Sequence, residues 1–336
     1  MESMSWGVGL AISLGFLYLL VKSVGRNSYC KIKSFEGKHV FITGGSSGIG
    51  LNIAKQVINE EGFLTLVSFS EEELKTAKAE ITKELGCSTQ RINTMFADVR
   101  DYTSIHRAVE ESVQWRPVDA LVCCAGIVRR SDFIENIPAP DIEMLVSTNL
   151  IGTIYTVHAM LPFIKERSKK HACCIVLLGS MSSLHVLFLN SIYTTTKHGV
   201  LGFARALRLE LVPYNISVTL ICPSFVRTRM VAIASDQMAD HAREAMEKIC
   251  KFDINKLEDP VDLAKRILQS AKEGRFLVTK NAFVDTFLVV LCRGAFPPES
   301  PLILAKELLL YIPCRLISLI ADAQTRRAIL KFASGD

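Results

Sequence analysis

Ser180 is followed thirteen positions later by Tyr193, and Lys197 stands four positions beyond that. On a helix over this stretch residues four apart share a face, which puts the phenol and the ammonium one turn from each other. A phenol with an ordinary pKa of about 10 is a poor acid or base at neutral pH, and a neighbouring positive charge favours its ionised form. At about 4 Å and an effective dielectric near 20 that attraction is at most ~4 kcal/mol, a change of about a thousandfold in ionisation. The trio is therefore suited to moving a proton to or from a substrate oxygen, with Ser180 as an added hydrogen-bonding group. Taken singly, each has a plainer reading: a serine ending a strand, a half-buried tyrosine, a solvated lysine.

A second constellation lies near the start of the chain. Thr43-Gly44-Gly45-Ser46-Ser47-Gly48-Ile49-Gly50 joins an apolar run to a helical pattern beginning near Leu51. Glycines let the backbone turn sharply and come close to a pyrophosphate, and the helix N-terminus supplies free N–H groups. Many loops are glycine-rich for turn geometry alone; the strand, loop and helix setting raises this one above them. Asp98, in Ala97-Asp98-Val99, is placed for the amino group of an adenine, whereas a lone aspartate ending a strand otherwise caps a turn.

These groups need a frame, and the hydrophobic pattern supplies one. Strands are predicted at His39 to Ile42, Phe63 to Val67, Thr94 to Ala97, Ala120 to Cys123, Cys174 to Leu178 and Ser217 to Ile221. Between them Glu71 to Leu85, Ile142 to Lys165 and Ile192 to Val212 have helical length and composition. The alternation predicts an α/β fold, a doubly wound parallel sheet covered by helices on both faces. No internal repeat or low-complexity stretch interrupts it.

Composition narrows the function classes. The chain has 336 residues, and its 39 Lys and Arg against 34 Asp and Glu leave a formal charge of +5, far from the concentrated basic face that nucleic-acid binding needs. Among ten cysteines, Cys123-Cys124 and Cys173-Cys174 are adjacent pairs in apolar runs and no CxxC spacing occurs, which reads as buried thiols in a reducing compartment. His185 and His198 have no carboxylate or cysteine at ligand spacing, so no metal site is expected. Asn215-Ile216-Ser217 fits a glycosylation acceptor but opens a predicted core strand, and reads as silent.

The mean hydropathy of +0.27 is high for a freely soluble enzyme. Trp6 to Val21 is an uncharged run of about 24 Å as a helix, and with its flanks from Met4 to Val24 it approaches the thickness of a bilayer core. Positive residues follow it, at Lys22, Arg26, Lys31, Lys33 and Lys38, which favours an uncleaved anchor with the body on the cytosolic side over a cleaved signal. Leu302 to Ile320 is apolar but interrupted by Lys306, Glu307, Pro313 and Arg315; it suits a surface-lying membrane segment, or helices packed on the body. The expected organisation is an anchor and basic linker over 1–30, a catalytic domain over 37–275 and a hydrophobic extension over 280–336.

Taken together, Thr43-Gly44-xxx-Gly48-x-Gly50, Asn149, Ser180 and Tyr193-xxx-Lys197 resemble, in order and spacing from about Gly37 to Ser270, the motif set of the short-chain dehydrogenase/reductase family. The resemblance implies a Rossmann-type fold and ketone reduction by NADPH. Tyr193 would give the proton to the carbonyl oxygen, Ser180 would hydrogen-bond that oxygen, Lys197 would hold the nicotinamide ribose and tune Tyr193, and Asn149 would help organise a water-linked relay. The implied cofactor contacts are Gly44, Ser46, Ser47, Gly48, Ile49, Gly50, Asp98, Ala125, Gly126, Tyr193, Lys197 and Thr228. Within the family, Phe41-Ile42-Thr43 with the loop, Ala97-Asp98-Val99, Pro213-Tyr214-Asn215 and the apolar ends are similar to a reductase of long-chain sphingoid ketones at the endoplasmic reticulum membrane. Phe225 to Phe252 would be its lid, and family members commonly pair through the helices carrying Asn149 and Tyr193. The alternatives are a reductase of another lipid ketone, such as a steroid or retinoid, and a catalytically weak member that binds nucleotide or lipid.

The chain also departs from the family's pattern. NADPH-dependent members place an arginine just after the second strand, where this chain has Phe69, with Glu73 where a lysine is common. Glu71, Glu72 and Glu73 would repel a 2′-phosphate if they turned inward, so NADH stays open as the cofactor. Cys123 replaces a strand-tying asparagine, and Pro223-Ser224 stands for the usual Pro-Gly or Pro-Pro step.

Overall fold

Short, almost wholly buried apolar runs become the strands, and the amphipathic stretches between them become the helices. The computed structural model describes residues 31–280, apart from Gln237, Ala239 and 249–256, together with Leu309 and Tyr311. The expected anchor at Trp6 to Val21 lies outside the described residues, as does Leu302 to Ile320 apart from Leu309 and Tyr311. In chain order the elements are β1 (His39–Thr43), α1 (Gly48–Asn59), β2 (Phe63–Ser68), α2 (Glu71–Leu85), β3 (Ile92–Phe96), α3 (Tyr102–Trp115) and β4 (Ala120–Cys123). They continue with α4 (Ala139–Val146), a π-helical turn at Ser147–Ile151, α5 (Gly152–Ser168), β5 (Cys173–Leu178), α6 (Ser191–Glu210) and β6 (Ile216–Ile221). The remainder comprises α7 (Arg229–Asp236), α8 (Asp240–Lys248), α9 (Pro260–Glu273) and β7 (Leu277–Val278).

All strand pairs are parallel, in the order β3-β2-β1-β4-β5-β6-β7. Every residue of β1, β4 and β6 is buried, as a sheet covered on both faces requires. One face packs on α3, α5 and α6 through Ile105, Met160, Ile164 and Val200. The other packs on α1, α2 and α9 through Ile53, Val57, Ile81 and Ile267. The strand order reverses between β1 and β4, which opens a crevice at their carboxyl ends. All six predicted strands form, within two residues at each end. Two-residue β7, too short for a hydrophobic pattern, is the strand that sequence reading missed.

Ala139–Ser168, including the π-helical turn, is long and apolar enough to cross a membrane. Its Val157, Met160 and Ile164 are nonetheless almost fully buried in the core, which identifies it as a sheet-covering helix of the domain.

At the opposite end of the sheet, Asp119 ties three elements together. Its carboxylate accepts from the His39 N–H at 3.0 Å and from Arg167 Nε at 2.8 Å. The His39 ring is buried, with Nδ1 2.8 Å from the Arg116 carbonyl and Nε2 2.9 Å from Thr65 Oγ1. Nδ1 must therefore carry the proton, and Nε2 accepts from the threonine hydroxyl. Burial pulls His39 from its ordinary 6.5 down to about 4, so it is neutral in the folded protein. Its folded pKa lies below its unfolded one, so the unfolded chain binds more protons in that window and stability falls as the pH drops from 6.5 towards 4. Between pH 7 and pH 5 this histidine should remove roughly 2 kcal/mol. Urea melts at the two pH values should show that loss in the wild type and a smaller one in His39→Gln; an equal loss in both would refute the assignment.

Candidate active site

The crevice is a cleft of about 860 Å³ lined by the glycine loop, the ends of β2 to β5, the head of α6 and the first turns of α7. β1 leads into the loop, where Gly44 has φ +66° and a Cβ placed on it would stand 2.8 Å from the Ala125 nitrogen. A Cβ on Gly50 would overlap the Gly44 carbonyl. The loop therefore lies against both α1 and the exit of β4, an approach that side chains at these two positions would block. α1 starts at Gly48, three residues before the expected Leu51, so Ser47 is its N-cap and Ile49 lies in its first turn. No acidic side chain stands in that turn, and the Ser47 hydroxyl makes no capping bond. A cradle of close-packed glycines before an uncontested helix N-terminus fits a dinucleotide pyrophosphate. Thr228 closes it from the opposite side, its methyl 3.5 Å from where a Gly48 Cβ would be.

At the adenosine end, Asp98 lies two residues beyond β3 and lines the cleft. Its carboxylate takes Arg100 Nε at 2.9 and 3.0 Å and Nη2 at 2.5 Å. The bonds from Arg100 hold it below the usual carboxylate range, against burial. Phe69 is 69% exposed. Of the three glutamates that open α2, Glu71 and Glu72 face solvent and Glu73 turns inward. Glu73 Oε2 is 3.1 Å from Ser46 Oγ, and its Oε1 accepts from Arg229 Nη1 at 2.9 Å. Nothing in the sequence marks Arg229 as facing the first turn of α2, 156 residues away.

The other end gathers the catalytic candidates. Ser180 follows β5 and caps the short turn Met181–Ser183, its Oγ accepting the Ser182 N–H at 3.1 Å. It also hydrogen-bonds the Tyr193 phenol. Lys197 is 5% exposed; its Nζ donates to the Leu178 carbonyl at 2.9 Å and stands 5.6 Å from the centre of the Tyr193 ring. Burial brings Lys197 down to about 8. Burial also raises the Tyr193 phenol, opposed by the Ser180 hydrogen bond. The sequence expectation that the ammonium lowers the phenol is thus reversed here: Nζ is bonded to a carbonyl beside the ring, and desolvation is the larger effect. At neutral pH the geometry holds a protonated phenol beside a charged lysine, the state suited to donating a proton.

Ala125 and Gly126 line the cleft, and Asn149 lies behind them. Its Oδ1 accepts the Ile127 N–H at 2.8 Å, while Nδ2 donates to the Ile127 carbonyl at 2.9 Å and approaches Thr196 Oγ1 at 3.4 Å. The Asn149 carbonyl is taken by the Thr153 hydroxyl at 2.9 Å. The side chain thus clamps the β4 exit to α6. A Cβ on Gly126 would lie 3.3 Å from Asn149 Oδ1 and 3.8 Å from Lys197 Nζ, so the three form one contiguous floor. Cys123 and Cys124 are buried at the same exit; burial pushes the Cys124 thiol up to about 12, opposed by the charge of Lys197, and leaves it no nucleophile.

Beyond Ser180 and Tyr193 the lining is mostly apolar, with Met144, Met181, Val186, Phe188, Met230 and Met238 beside His185 and Asn190. The expected lid segment forms α7 and α8, with 249–256 outside the described residues. α8 docks through Ala242 and Ala245 onto Leu189, and His241 Nε2 lies 3.0 Å from Asp132 Oδ1. Burial would raise Asp132, but hydrogen bonds from Asn136, the Phe133 N–H and His241 outweigh it and bring the carboxyl to about 2.

The sheet order, the glycine cradle and the Ser180, Tyr193 and Lys197 cluster meet what sequence comparison finds independently: residues 38–239 match the short chain dehydrogenase family model, and the chain belongs to that family. A nicotinamide cofactor goes with that membership and with the cradle. Among characterised relatives, the chain is 32% identical over 270 residues to the 3-ketodihydrosphingosine reductase of Bos taurus, covering 79% of this chain and 78% of that one. It is 29% identical over 299 residues to 3-dehydrosphinganine reductase TSC10A of Arabidopsis thaliana, covering 89% and 87%. Of solved structures, a variant of actinorhodin polyketide ketoreductase with NADPH aligns at a TM-score of 0.64 and 27% identity, over 73% of this chain and 95% of that one.

Removing the Asn149 side chain leaves the Ile127 N–H and carbonyl without their partner in a buried setting, which costs about 1–3 kcal/mol. Asn149→Ala should lower stability by that amount in urea melts; an unchanged midpoint would show that the clamp does not hold the floor.

Proposed function

We propose that the protein reduces 3-ketosphinganine to sphinganine with NADPH, as a membrane-anchored enzyme of sphingolipid synthesis. The observation that carries the reading is the Ser180, Tyr193 and Lys197 cluster at the base of a cleft whose far wall is mostly apolar, in a chain about 30% identical to reductases named for this substrate. NADPH as the donor is supported by the family resemblance of the sequence and by the ketoreductase solved with it. The apolar run Trp6 to Val21 supports an anchor over 1–30 in the endoplasmic reticulum membrane, with the domain over 37–275 in the cytosol and the extension over 280–336 on the membrane. A tether at the bilayer suits a substrate whose alkyl chain need not leave it.

The glycine loop, with Gly44, Ser46, Ser47, Gly48, Ile49 and Gly50, would hold the pyrophosphate, Asp98 the adenine, and Ala125, Gly126, Lys197 and Thr228 the nicotinamide half. When bound, the cofactor supplies a hydride to the carbonyl carbon. Tyr193, kept protonated by its buried setting, delivers its proton to the carbonyl oxygen, which Ser180 orients by a hydrogen bond. The charge of Lys197 then stabilises the phenolate left behind, and Asn149 keeps the floor under it in place. The apolar wall with Met181, Phe188, Met230 and Met238 receives the alkyl chain.

Protein purified in detergent should oxidise NADPH in the presence of 3-ketosphinganine and form sphinganine in equal amount, with NADH much less effective. Tyr193→Phe should lower turnover by roughly a hundredfold or more while binding NADPH as the wild type does. Equal turnover on steroid or retinoid ketones would overturn the substrate assignment, and near-normal turnover in the phenylalanine variant would overturn the mechanism.

A further inference from the structure

We propose that Arg229 recognises the 2′-phosphate of the dinucleotide from the lid side of the cleft, and that Glu73 holds the guanidinium until that phosphate replaces it. The proposal rests on the NADPH reading above and supplies the cation that Phe69 fails to provide. Arg229 is the first residue of α7, directly after Thr228, and its side chain crosses the cleft to the first turn of α2. There Nη1 donates to Glu73 Oε1 at 2.9 Å. The second Glu73 oxygen is 3.1 Å from Ser46 Oγ, itself 3.1 Å from Ser68 Oγ. Ser46 belongs to the dinucleotide loop and Ser68 ends β2, the two places between which a doubly wound fold holds the adenosine ribose. The carboxylate thus sits at the ribose corner with a cation already on it.

Charge and exposure say which partner that cation would take. Each of the other Arg and Lys side chains lining the cleft among the described residues has a partner away from the Ser46 and Ser68 corner: Arg100 is bonded to Asp98, Arg129 lies beside Asp141 and Met144, and Lys197 is bonded to Leu178. Arg229 is 70% exposed and Glu73 only partly buried, and a pair so exposed is weak and readily exchanged. A phosphate dianion offers the guanidinium twice the charge and a bidentate fit. Glu73, released, is left facing that dianion and must turn out to solvent. Arg229 therefore favours the 2′-phosphate and Glu73 opposes it, and their exchange would couple the head of the lid to an occupied cofactor site.

The test measures, by calorimetry on the full-length protein in detergent, the dissociation constants of adenosine 2′,5′-bisphosphate and adenosine 5′-monophosphate. The wild type should bind the bisphosphate at least about tenfold more tightly. Arg229→Gln should weaken the bisphosphate about 10- to 100-fold and leave the monophosphate within about twofold, the size of a lost charged hydrogen bond. Glu73→Gln should tighten the bisphosphate severalfold. Undiminished preference in Arg229→Gln, or equal weakening of both probes, overturns the proposal and leaves the NADPH reading standing. A wild type that binds the two probes equally overturns both.

Discussion

The bond from Lys197 Nζ to the Leu178 carbonyl, 2.9 Å long, sets the arrangement at the active end of the sheet. An ammonium that is 5% exposed is expensive to keep charged, and burial brings Lys197 down to about 8. Because β5 ends at Leu178, the last carbonyl of the strand points at the helix that carries Lys197 and fixes its side chain across the gap. Tyr193, one turn earlier on α6, is thereby set beside Ser180, which follows the same strand end by two residues. The same lysine adjoins Gly126 and, through it, Asn149, so strand β4, the π-helical turn and α6 meet at one charged group.

The constraint reaches the cofactor half through backbone proximity. Gly44 faces Ala125 and Gly50 faces the Gly44 carbonyl, with no room for a side chain at either contact. The phosphate cradle and the catalytic floor are consequently two sides of the same β4 exit, which is why a cysteine is accepted at Cys123: the bonds that hold this exit come from Asn149 and from the Thr43 carbonyl, which takes the Cys124 N–H at 3.1 Å. The rest of the lining is rich in apolar side chains, with Met144, Met181, Val186, Phe188, Met230 and Met238 beside a few polar groups such as His185 and Asn190, as a cleft for a long alkyl chain would be.

Much of this could be read from the chain. Strands buried on both faces appear as near-continuous apolar runs, and helix α2 matched its prediction at both ends because Ser70 caps it and Gly86 stops it in a left-handed conformation. The spacing of Ser180, Tyr193 and Lys197 was legible because one helical turn and one strand end translate directly into proximity. Contacts between elements distant in sequence were not. Asn149 was expected to help organise a water-linked relay, and the clamp its side chain makes with Ile127 and Thr196 could not be read from the chain. The direction of the Tyr193 shift depended on where Nζ points, and the inward turn of Glu73 on Ser46 and Arg229. None of these leaves a periodic or compositional trace.

The central claim, that a protonated Tyr193 donates while a buried Lys197 carries its charge, is tested most directly by the pH dependence of kcat for ketone reduction at saturating cofactor and substrate. The account predicts a plateau through neutral pH and a fall of about tenfold per pH unit once Lys197 loses its proton, from about 8 upward. In Lys197→Arg, whose guanidinium stays charged, that limb should move to higher pH even if the plateau is lower. A rate that stays level through pH 9.5 in the wild type, or a limb that does not move in the arginine variant, would contradict it.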